Sequence, residues 1–215
     1  MIKKIAVYGA GGFGREVALL IKRINSKDSV WDFIGFFDDD ISKKGSRNEY
    51  GNILGNIEDL NAFDSQLSVV IAVGKPRILK LIKDKITNEN IDFPNLIAPE
   101  AMIFDIDNFT IGEGNILCSF SSFSCNVRIG DFNVFNNRVS LGHDATIGSY
   151  NSFMTAVRIS GDTNVHEFNF FGVNSVLLPG IRVGNNTTIG AGSVVIRKTM
   201  DNMVYIGNPA KKFKF

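Results

Sequence analysis

Two adjacent residues, His143 and Asp144, have side chains suited to moving a proton. Near neutral pH an imidazole is the natural base for an amine or hydroxyl that must lose a proton to attack an electrophile. A carboxylate beside the ring can orient it and raise its basicity. Histidine is scarce here, since His166 is the only other one in 215 residues. His143 is therefore a candidate catalytic base. The alternative is an ordinary surface histidine, which is how His166 is interpreted.

A six-residue repeat sets the position of His143. Large apolar residues occupy every sixth position from Ile111 to Val195, fifteen in succession, without a slip of phase. Neither helix spacing nor strand alternation keeps this register, whereas a short strand followed by a turn does. Three hexads form one triangular coil, so the sequence predicts five coils of a parallel β-helix with these residues inside. They are Ile111, Leu117, Phe123, Ile129, Phe135, Leu141, Ile147, Phe153, Ile159, Val165, Phe171, Leu177, Val183, Ile189 and Val195.

Stepping by one coil, or 18 residues, aligns further side chains. One inner stack would contain Leu117, Phe135, Phe153, Phe171 and Ile189, which accounts for part of the high phenylalanine content. A glycine follows the inward residue in seven hexads, where we expect it to allow corner conformations that a Cβ hinders. One edge would align Cys125, His143, Gly161, Pro179 and Arg197. Because Gly161 and Pro179 are compact, a trough beside His143 is expected.

The first 96 residues have the pattern of a small α/β domain. Apolar, β-branched runs predict strands at 2–8, 33–37, 68–73 and 93–97. Apolar spacing, or a proline in the first turn, predicts helices at 15–24, 57–63 and 76–86. This alternation of strands and helices predicts a small parallel sheet.

A glycine-rich turn, Gly9-x-Gly-x-x-Gly14, joins the first strand to the first helix. Glycines at such a turn let a backbone approach phosphates at a helix N-terminus. Asp38 follows 24 residues after Gly14, near the place of a ribose-binding acid in a dinucleotide fold. A simple tight turn beside a solvated acidic loop is the alternative. NAD is disfavoured, because the domain is too short for the usual two-lobed sheet.

The hexad register resembles the left-handed β-helix of hexapeptide-repeat acyltransferases, in which an aliphatic residue is followed by glycine. The segment Gly207-Asn-Pro-Ala-Lys211 is similar to the one that closes many of these enzymes. A short Rossmann-like unit joined directly to such a β-helix resembles the bacterial sugar O- and N-acyltransferases of the NeuD/PglD type. This implies a Rossmann-like, sugar- or nucleotide-sugar-binding domain over residues 1–96. It also implies a left-handed β-helix acyltransferase domain with a C-terminal tail over residues 97–215.

The resemblance implies an acyl-CoA-dependent, most simply acetyl-CoA-dependent, transferase that acylates an amino or hydroxyl group of a sugar or nucleotide-linked aminosugar. His143 matches the general base, and Asp144 takes the place of a glutamate that is one methylene longer. Gly161 matches a position whose backbone N–H binds the thioester carbonyl. The enzymes of this family pack as homotrimers with sites between neighbouring subunits, so a homotrimer is expected here.

Further residues are carried over by position. Those matching contacts to the nucleotide sugar are Gly11, Gly12, Phe13, Asp38, Asp39 and Gly74. Those matching contacts to acyl-CoA are Ser152, Gly161, Val173 and Ala191. Phe13 and Ser152 depart from the pattern, because the best-known aminosugar enzymes have histidine at both positions. A non-catalytic, nucleotide-sugar-binding scaffold therefore stays open as an alternative.

The amino-acid composition disfavours several other classes of protein. The chain has 23 basic and 22 acidic residues, a net charge of +1, which disfavours a general nucleic-acid binder. Two cysteines and two histidines leave little for a metal site, so no metal is expected and a γ-type carbonic anhydrase is disfavoured. No signal-like segment or long apolar run is present, so we expect a cytoplasmic protein without a membrane span.

Overall fold

A computed structural model describes residues 2–213. The chain divides into two compact units, with the boundary between Pro99 and Glu100. The predicted domain boundary at residues 96 and 97 is three residues earlier. Residues 1, 214 and 215, at the outer ends of the predicted domains, lie outside the described residues.

The first unit is a sheet flanked by helices. Its strands are β1 (Lys3–Tyr8), β2 (Trp31–Phe37), β3 (Arg47–Asn48), β4 (Gly51–Gly55), β5 (Leu67–Ile71) and β6 (Ile91–Asp92), followed by β7 (Leu96–Ile97). Its helices are α1 (Gly12–Lys27), α2 (Ile57–Asn61) and α3 (Pro76–Lys85), with a 3₁₀ turn at Ile41–Lys43. The strand order is β3-β4-β2-β1-β5-β6, and only the β3–β4 pair is antiparallel. The central strands are buried, which confirms the predicted small parallel sheet.

Two details of this unit differ from the sequence prediction. The strands β3 and β4 were not predicted, because they are short and glycine-bounded and only Ile53 and Leu54 supply an apolar signal. The predicted strand at 93–97 is instead two strands of two residues each, on either side of Pro94. Proline has no N–H to donate to a ladder, so it separates them.

The second unit is a parallel β-helix. Its strands are β8 (Met102–Ile103), β9 (Thr110–Ile111), β10 (Ile116–Leu117), β11 (Ser122–Phe123), β12 (Arg128–Ile129), β13 (Val134–Phe135), β14 (Ser140–Leu141), β15 (Thr146–Ile147), β16 (Ser152–Phe153), β17 (Arg158–Ile159), β18 (Asn164–Val165), β19 (Phe170–Phe171), β20 (Val176–Leu177), β21 (Arg182–Val183), β22 (Thr188–Ile189), β23 (Val194–Val195), β24 (Val204–Ile206) and β25 (Lys211–Phe213). A 3₁₀ turn covers Ile106–Asn108. From β9 to β23 paired strands are 18 residues apart, as in Phe135 with Phe153, whereas β8 pairs with β11 at a spacing of 20 residues. The antiparallel pair β24–β25 closes the helix.

The predicted inward residues form most of the core of the β-helix, which also contains Val127, Val139, Ala145, Val157 and Ile181. Fourteen of the fifteen are buried in one cluster, and Ile111 packs against it from the first coil. Phe135, Phe153 and Phe171 stack face to face, with ring centroids 4.8 and 4.6 Å apart. A second stack, Phe132–Tyr150–Phe168, runs along a corner and was not predicted. The predicted α/β unit followed by a hexapeptide-repeat β-helix is therefore confirmed.

The predicted reason for the hexad glycines is wrong. Their φ angles lie outside the left-handed region, which is occupied two residues later in the hexad by residues such as Asp144, at φ 59°. The glycines are needed instead where successive coils approach each other closely. A Cβ on Gly142 would lie 2.4 Å from the backbone nitrogen of Gly161, and one on Gly172 equally close to that of Ala191.

Candidate active site

His143 and Asp144 form a hydrogen-bonded pair at one corner of the β-helix. The His143 Nδ1 lies 2.8 Å from the Asp144 Oδ2. The Asp144 side chain spans this distance although it is short, because its backbone has the left-handed conformation and its N–H donates to the Cys125 carbonyl one coil earlier. The side chains remain 62% and 50% exposed, respectively. The pair is thus open to a substrate, and the neutral ring that donates from Nδ1 presents Nε2 as a proton acceptor.

Gly161 lies directly under the His143 ring. A Cβ at this position would come within 2.4 Å of Nε2 and 2.6 Å of Cε1. The predicted column is visible in the hydrogen bonds, since Asp162 N–H donates to the His143 carbonyl and Gly180 N–H to that of Gly161. Only glycine leaves room for the ring to rest against this corner.

Asp144 is held by a second partner, Asn126. The Asn126 Nδ2 donates to the Asp144 Oδ1 across 2.6 Å, while the other carboxylate oxygen faces His143. The hydrogen bond with His143, and after it the one from Asn126, holds the pKa of the Asp144 carboxyl below its usual value. The Asp144 carboxylate therefore stays ionised at neutral pH.

The residues carried over as acyl-CoA contacts do not all lie together in one protomer. Val173 and Ala191 share another corner, where Gly192 N–H donates to the Val173 carbonyl. Strands of the β14–β17–β20 sheet separate that corner from His143 and Gly161. Ser152 is only 1% exposed, and its hydroxyl has no hydrogen-bond partner within residues 2–213. Its burial does not favour a contact with an acyl donor, and the contact stays a prediction.

In the first unit, the carboxyl ends of the central strands carry the other predicted residues. Strand β1 lies between β2 and β5, and the chain leaves β1 and β5 toward opposite sides of the sheet, which is where α/β folds commonly bind ligands. Gly11, Gly12 and Gly74 face open space here, with no atom within 4 Å of a built Cβ. Phe13 is partly exposed in the first turn of α1. Gly14 is different, because a Cβ there would overlap the Gly9 carbonyl.

The two acidic residues that follow β2 have separate environments. One Asp38 oxygen accepts from the Ala10 N–H at 2.8 Å, and the other is 3.4 Å from the Lys43 ammonium. The Asp38 carboxylate thus fastens the glycine turn to the end of β2. Asp39 is exposed and accepts a hydrogen bond from the buried Tyr8 hydroxyl. Burial, and after it the bond to Asp39, raises the pKa of Tyr8 far above its usual range, so the phenol remains a donor.

Comparisons with known proteins agree with this architecture. The PglD N-terminal domain model matches residues 4–86, and the bacterial transferase hexapeptide model (six repeats) matches residues 162–197. The acetyltransferase domain of PglB from Neisseria gonorrhoeae, solved with acetyl coenzyme A, has a TM-score of 0.88 and 27% identity over 99% of this chain and 100% of that one. WeeI from Acinetobacter baumannii has a TM-score of 0.88 and 25% identity over 98% and 100%.

In both units the chain is therefore similar to PglD-type hexapeptide-repeat acyltransferases. A curated relative, galactoside O-acetyltransferase from Lactococcus lactis, is 45% identical over 40 residues. That match covers 19% of each protein, so the chain spans about a fifth of this relative's length.

Two residues at the candidate sites were not predicted from the sequence. Asn126 lies one coil before Asp144, so the 18-residue period that aligned His143 with Gly161 was sufficient to find it. Tyr8 resembles any other apolar residue at the end of a buried strand, and no sequence signal pairs it with Asp39.

Two further findings concern residues 2–213. Between residues 2 and 213, no three His, Cys, Asp or Glu side chains are grouped so that they could hold a metal ion. No helix in the same range is long and apolar enough to cross a membrane.

Proposed function

We propose that the protein transfers an acyl group, most simply acetyl, from acyl-CoA to an amino or hydroxyl group of a sugar or nucleotide-linked aminosugar. The observation that carries the proposal is the exposed His143–Asp144 pair, with the ring resting against Gly161. A base of this kind, at a corner of a hexapeptide β-helix, has the chemistry required for attack on a thioester.

The proposed reaction proceeds by direct attack. The acceptor nitrogen or oxygen bonds to the thioester carbonyl carbon while its proton passes to the His143 Nε2. The carboxylate of Asp144 stabilises the imidazolium that forms. The C–S bond then breaks, and the CoA thiolate takes the proton from His143. No covalent acyl-enzyme is required.

Gly161 is proposed to stabilise the oxyanion of the tetrahedral intermediate. Within residues 2–213 its N–H donates to no backbone carbonyl. A backbone donor beside the base can stabilise the charge that develops on the thioester oxygen. His143, Asp144 and Gly161 are thus the proposed catalytic groups.

The acyl donor is proposed to bind along the β-helix of a homotrimer. The acetyltransferase domain of PglB, which shares this fold, was solved with acetyl coenzyme A, and this supports acetyl-CoA as the donor. In one protomer, Val173 and Ala191 lie at a different corner from His143. A trimer would let one subunit supply the donor corner and its neighbour the base. Light scattering should then give three times the chain mass of 23.7 kDa.

The acceptor is proposed to bind at the open edge of the first unit. The match to the PglD N-terminal domain and the unobstructed space at Gly11, Gly12 and Gly74 support a nucleotide-sugar site there. Phe13, Asp38 and Asp39 belong to the same edge. A cytoplasmic location, where acyl-CoA is available, is part of the proposal.

A thiol-release assay with acetyl-CoA and a panel of UDP-aminosugars tests the proposal. We expect the His143→Ala variant to lose turnover, whereas His166→Ala, the matched control, keeps it. Retained turnover in His143→Ala would refute the proposed mechanism. Calorimetry with acetyl-CoA tests the scaffold alternative, since a non-catalytic scaffold should not bind the acyl donor.

A further inference from the structure

A third side chain completes the His143–Asp144 pair. Asn126 is one coil before Asp144, and both residues have left-handed backbone conformations, with φ 56° and 59°. The two corners are stacked directly, because Asp144 N–H donates to the carbonyl of Cys125 at 3.0 Å. The side-chain hydrogen bond from Asn126 to Asp144 therefore spans two backbone segments whose separation is fixed by the β-helix.

The orientation of the Asn126 amide follows from its neighbours. Its Nδ2 lies 2.6 Å from a carboxylate oxygen, which can only accept. Its Oδ1 lies 3.5 Å from the Nη2 of Arg128, which can only donate. A rotated amide would place oxygen against oxygen and nitrogen against nitrogen, so the donor must face Asp144.

This contact matters because packing against Gly161 alone does not fix the pair. The His143 side chain is 62% exposed and the Asp144 side chain is 50% exposed, so each could adopt other rotamers in solvent. The hydrogen bond from Asn126 fixes one carboxylate oxygen and directs the other toward His143 Nδ1. A fixed carboxylate keeps the proton of the neutral ring on Nδ1 and leaves Nε2 unprotonated.

We propose that Asn126 is a positioning residue for the catalytic base, acting through Asp144 to set the orientation and tautomer of His143. The catalytic part of this inference rests on the proposed function, whereas its effect on the ring can be observed without any substrate.

Two variants that remove the same amide at matched backbone positions provide the comparison. Asn186 also has a left-handed conformation, with φ 52°, and donates across 2.8 Å to the Asn202 side chain at another corner. Alanine is accommodated in this conformation, since Ala156 has φ 61°. Asn126→Ala and Asn186→Ala therefore each remove a side-chain hydrogen bond to a neighbouring coil from a left-handed corner residue, but only the first removes one to Asp144.

The first readout is the tautomer of His143, measured by ¹⁵N NMR of the imidazole rings. The spectrum contains imidazole signals from His143 and His166 only, so the signals that are lost in the His143→Ala variant belong to His143. We expect the neutral His143 ring to be mainly the Nδ1–H form in wild type and in Asn186→Ala. In Asn126→Ala it should move toward a mixture with the Nε2–H form. An unchanged tautomer in Asn126→Ala would overturn the proposal, even if no acceptor substrate were found.

The second readout is a double-mutant cycle in the thiol-release assay. Asn126→Ala should lower kcat about three- to tenfold, with little change in the KM for acetyl-CoA. If Asn126 acts through Asp144, the same change made in an Asp144→Asn background should cost less than about twofold. An equal loss in both backgrounds would overturn the proposal. Wild-type protein that releases no thiol with any acceptor would instead overturn the proposed function, and activity retained by His143→Ala the proposed mechanism, so these failures are distinguishable from that of the inference.

Discussion

Replacing Gly161 with alanine tests how closely the base depends on its supporting corner. The new Cβ would lie 2.4, 2.6 and 2.7 Å from Nε2, Cε1 and Cδ2 of His143. Ordinary contact begins at 3.4 Å, so the ring must retreat by about 1 Å. Misplacing a catalytic group by about 1 Å costs about 100-fold in rate. Because the His143 side chain is 62% exposed, it can make this movement without disturbing the core.

The Gly142→Ala variant provides the matched comparison. It adds a Cβ at the same corner, but this Cβ lies against the backbone instead of a movable side chain. Its Cβ would meet the backbone nitrogen of Gly161 at 2.4 Å, which no side-chain rotation can relieve. Overpacking of this kind costs about 1–3 kcal/mol, and each kcal/mol lowers Tm by about 2–4 °C in a protein of this size.

The assay pairs thiol release with thermal denaturation. Gly161→Ala should lose about 100-fold in kcat with a Tm close to that of wild type, whereas Gly142→Ala should show a clearly lower Tm. Two results would refute the reasoning. One is Gly161→Ala with kcat near that of wild type. The other is a Gly161→Ala variant whose loss of activity only accompanies a fall in Tm as large as that of Gly142→Ala.

Three other predictions follow from the same structure. Phe153→Ala removes the middle ring of the inner stack and should lower the free energy of unfolding by about 3–5 kcal/mol in chemical denaturation. Asp38→Ala frees the Ala10 N–H and should raise the KM for the nucleotide sugar about tenfold with kcat unchanged; an equal fall in kcat would contradict this role. Since the pKa of the Asp144 carboxyl is lowered in the folded protein, its ionised form persists as pH falls and is lost only below its usual range. Asp144 should therefore contribute no ionisation to the kcat/KM profile between about pH 5 and 8, and an ionisation in that range that Asp144→Asn abolishes would contradict this.

The sequence was most informative where one period governs many residues. All fifteen predicted inward residues contribute to the core, because one six-residue period fixes the direction of every one of them. The carboxyl edge of the first sheet was also predictable, since its glycines and acids directly follow apolar strands. Strands β3 and β4 were missed because two-residue and glycine-bounded segments lack periodicity.

The side-chain geometry at the candidate sites was harder to predict from the sequence than the fold. The distance from Asp144 to His143 depends on a left-handed backbone at a residue that is not glycine, and sequence alone does not distinguish that conformation. The role of the hexad glycines was misread for a related reason. A glycine can be required for conformational freedom or for the close approach of another backbone segment, and the sequence does not distinguish these reasons. Here the position of the neighbouring coil shows that close approach is the reason.

The place of the His143 corner within the stack has a consequence for local unfolding. Each coil contacts only the coils before and after it, so opening is expected to start at the ends of such a repeat and to advance coil by coil. His143 follows the sixth of the fifteen inward residues and Gly161 the ninth. Fraying from either end must therefore unwind at least one complete coil before it reaches the base. Amide hydrogen exchange should be slower around this corner than at the terminal coils, which makes the candidate active site one of the last parts of the β-helix to open.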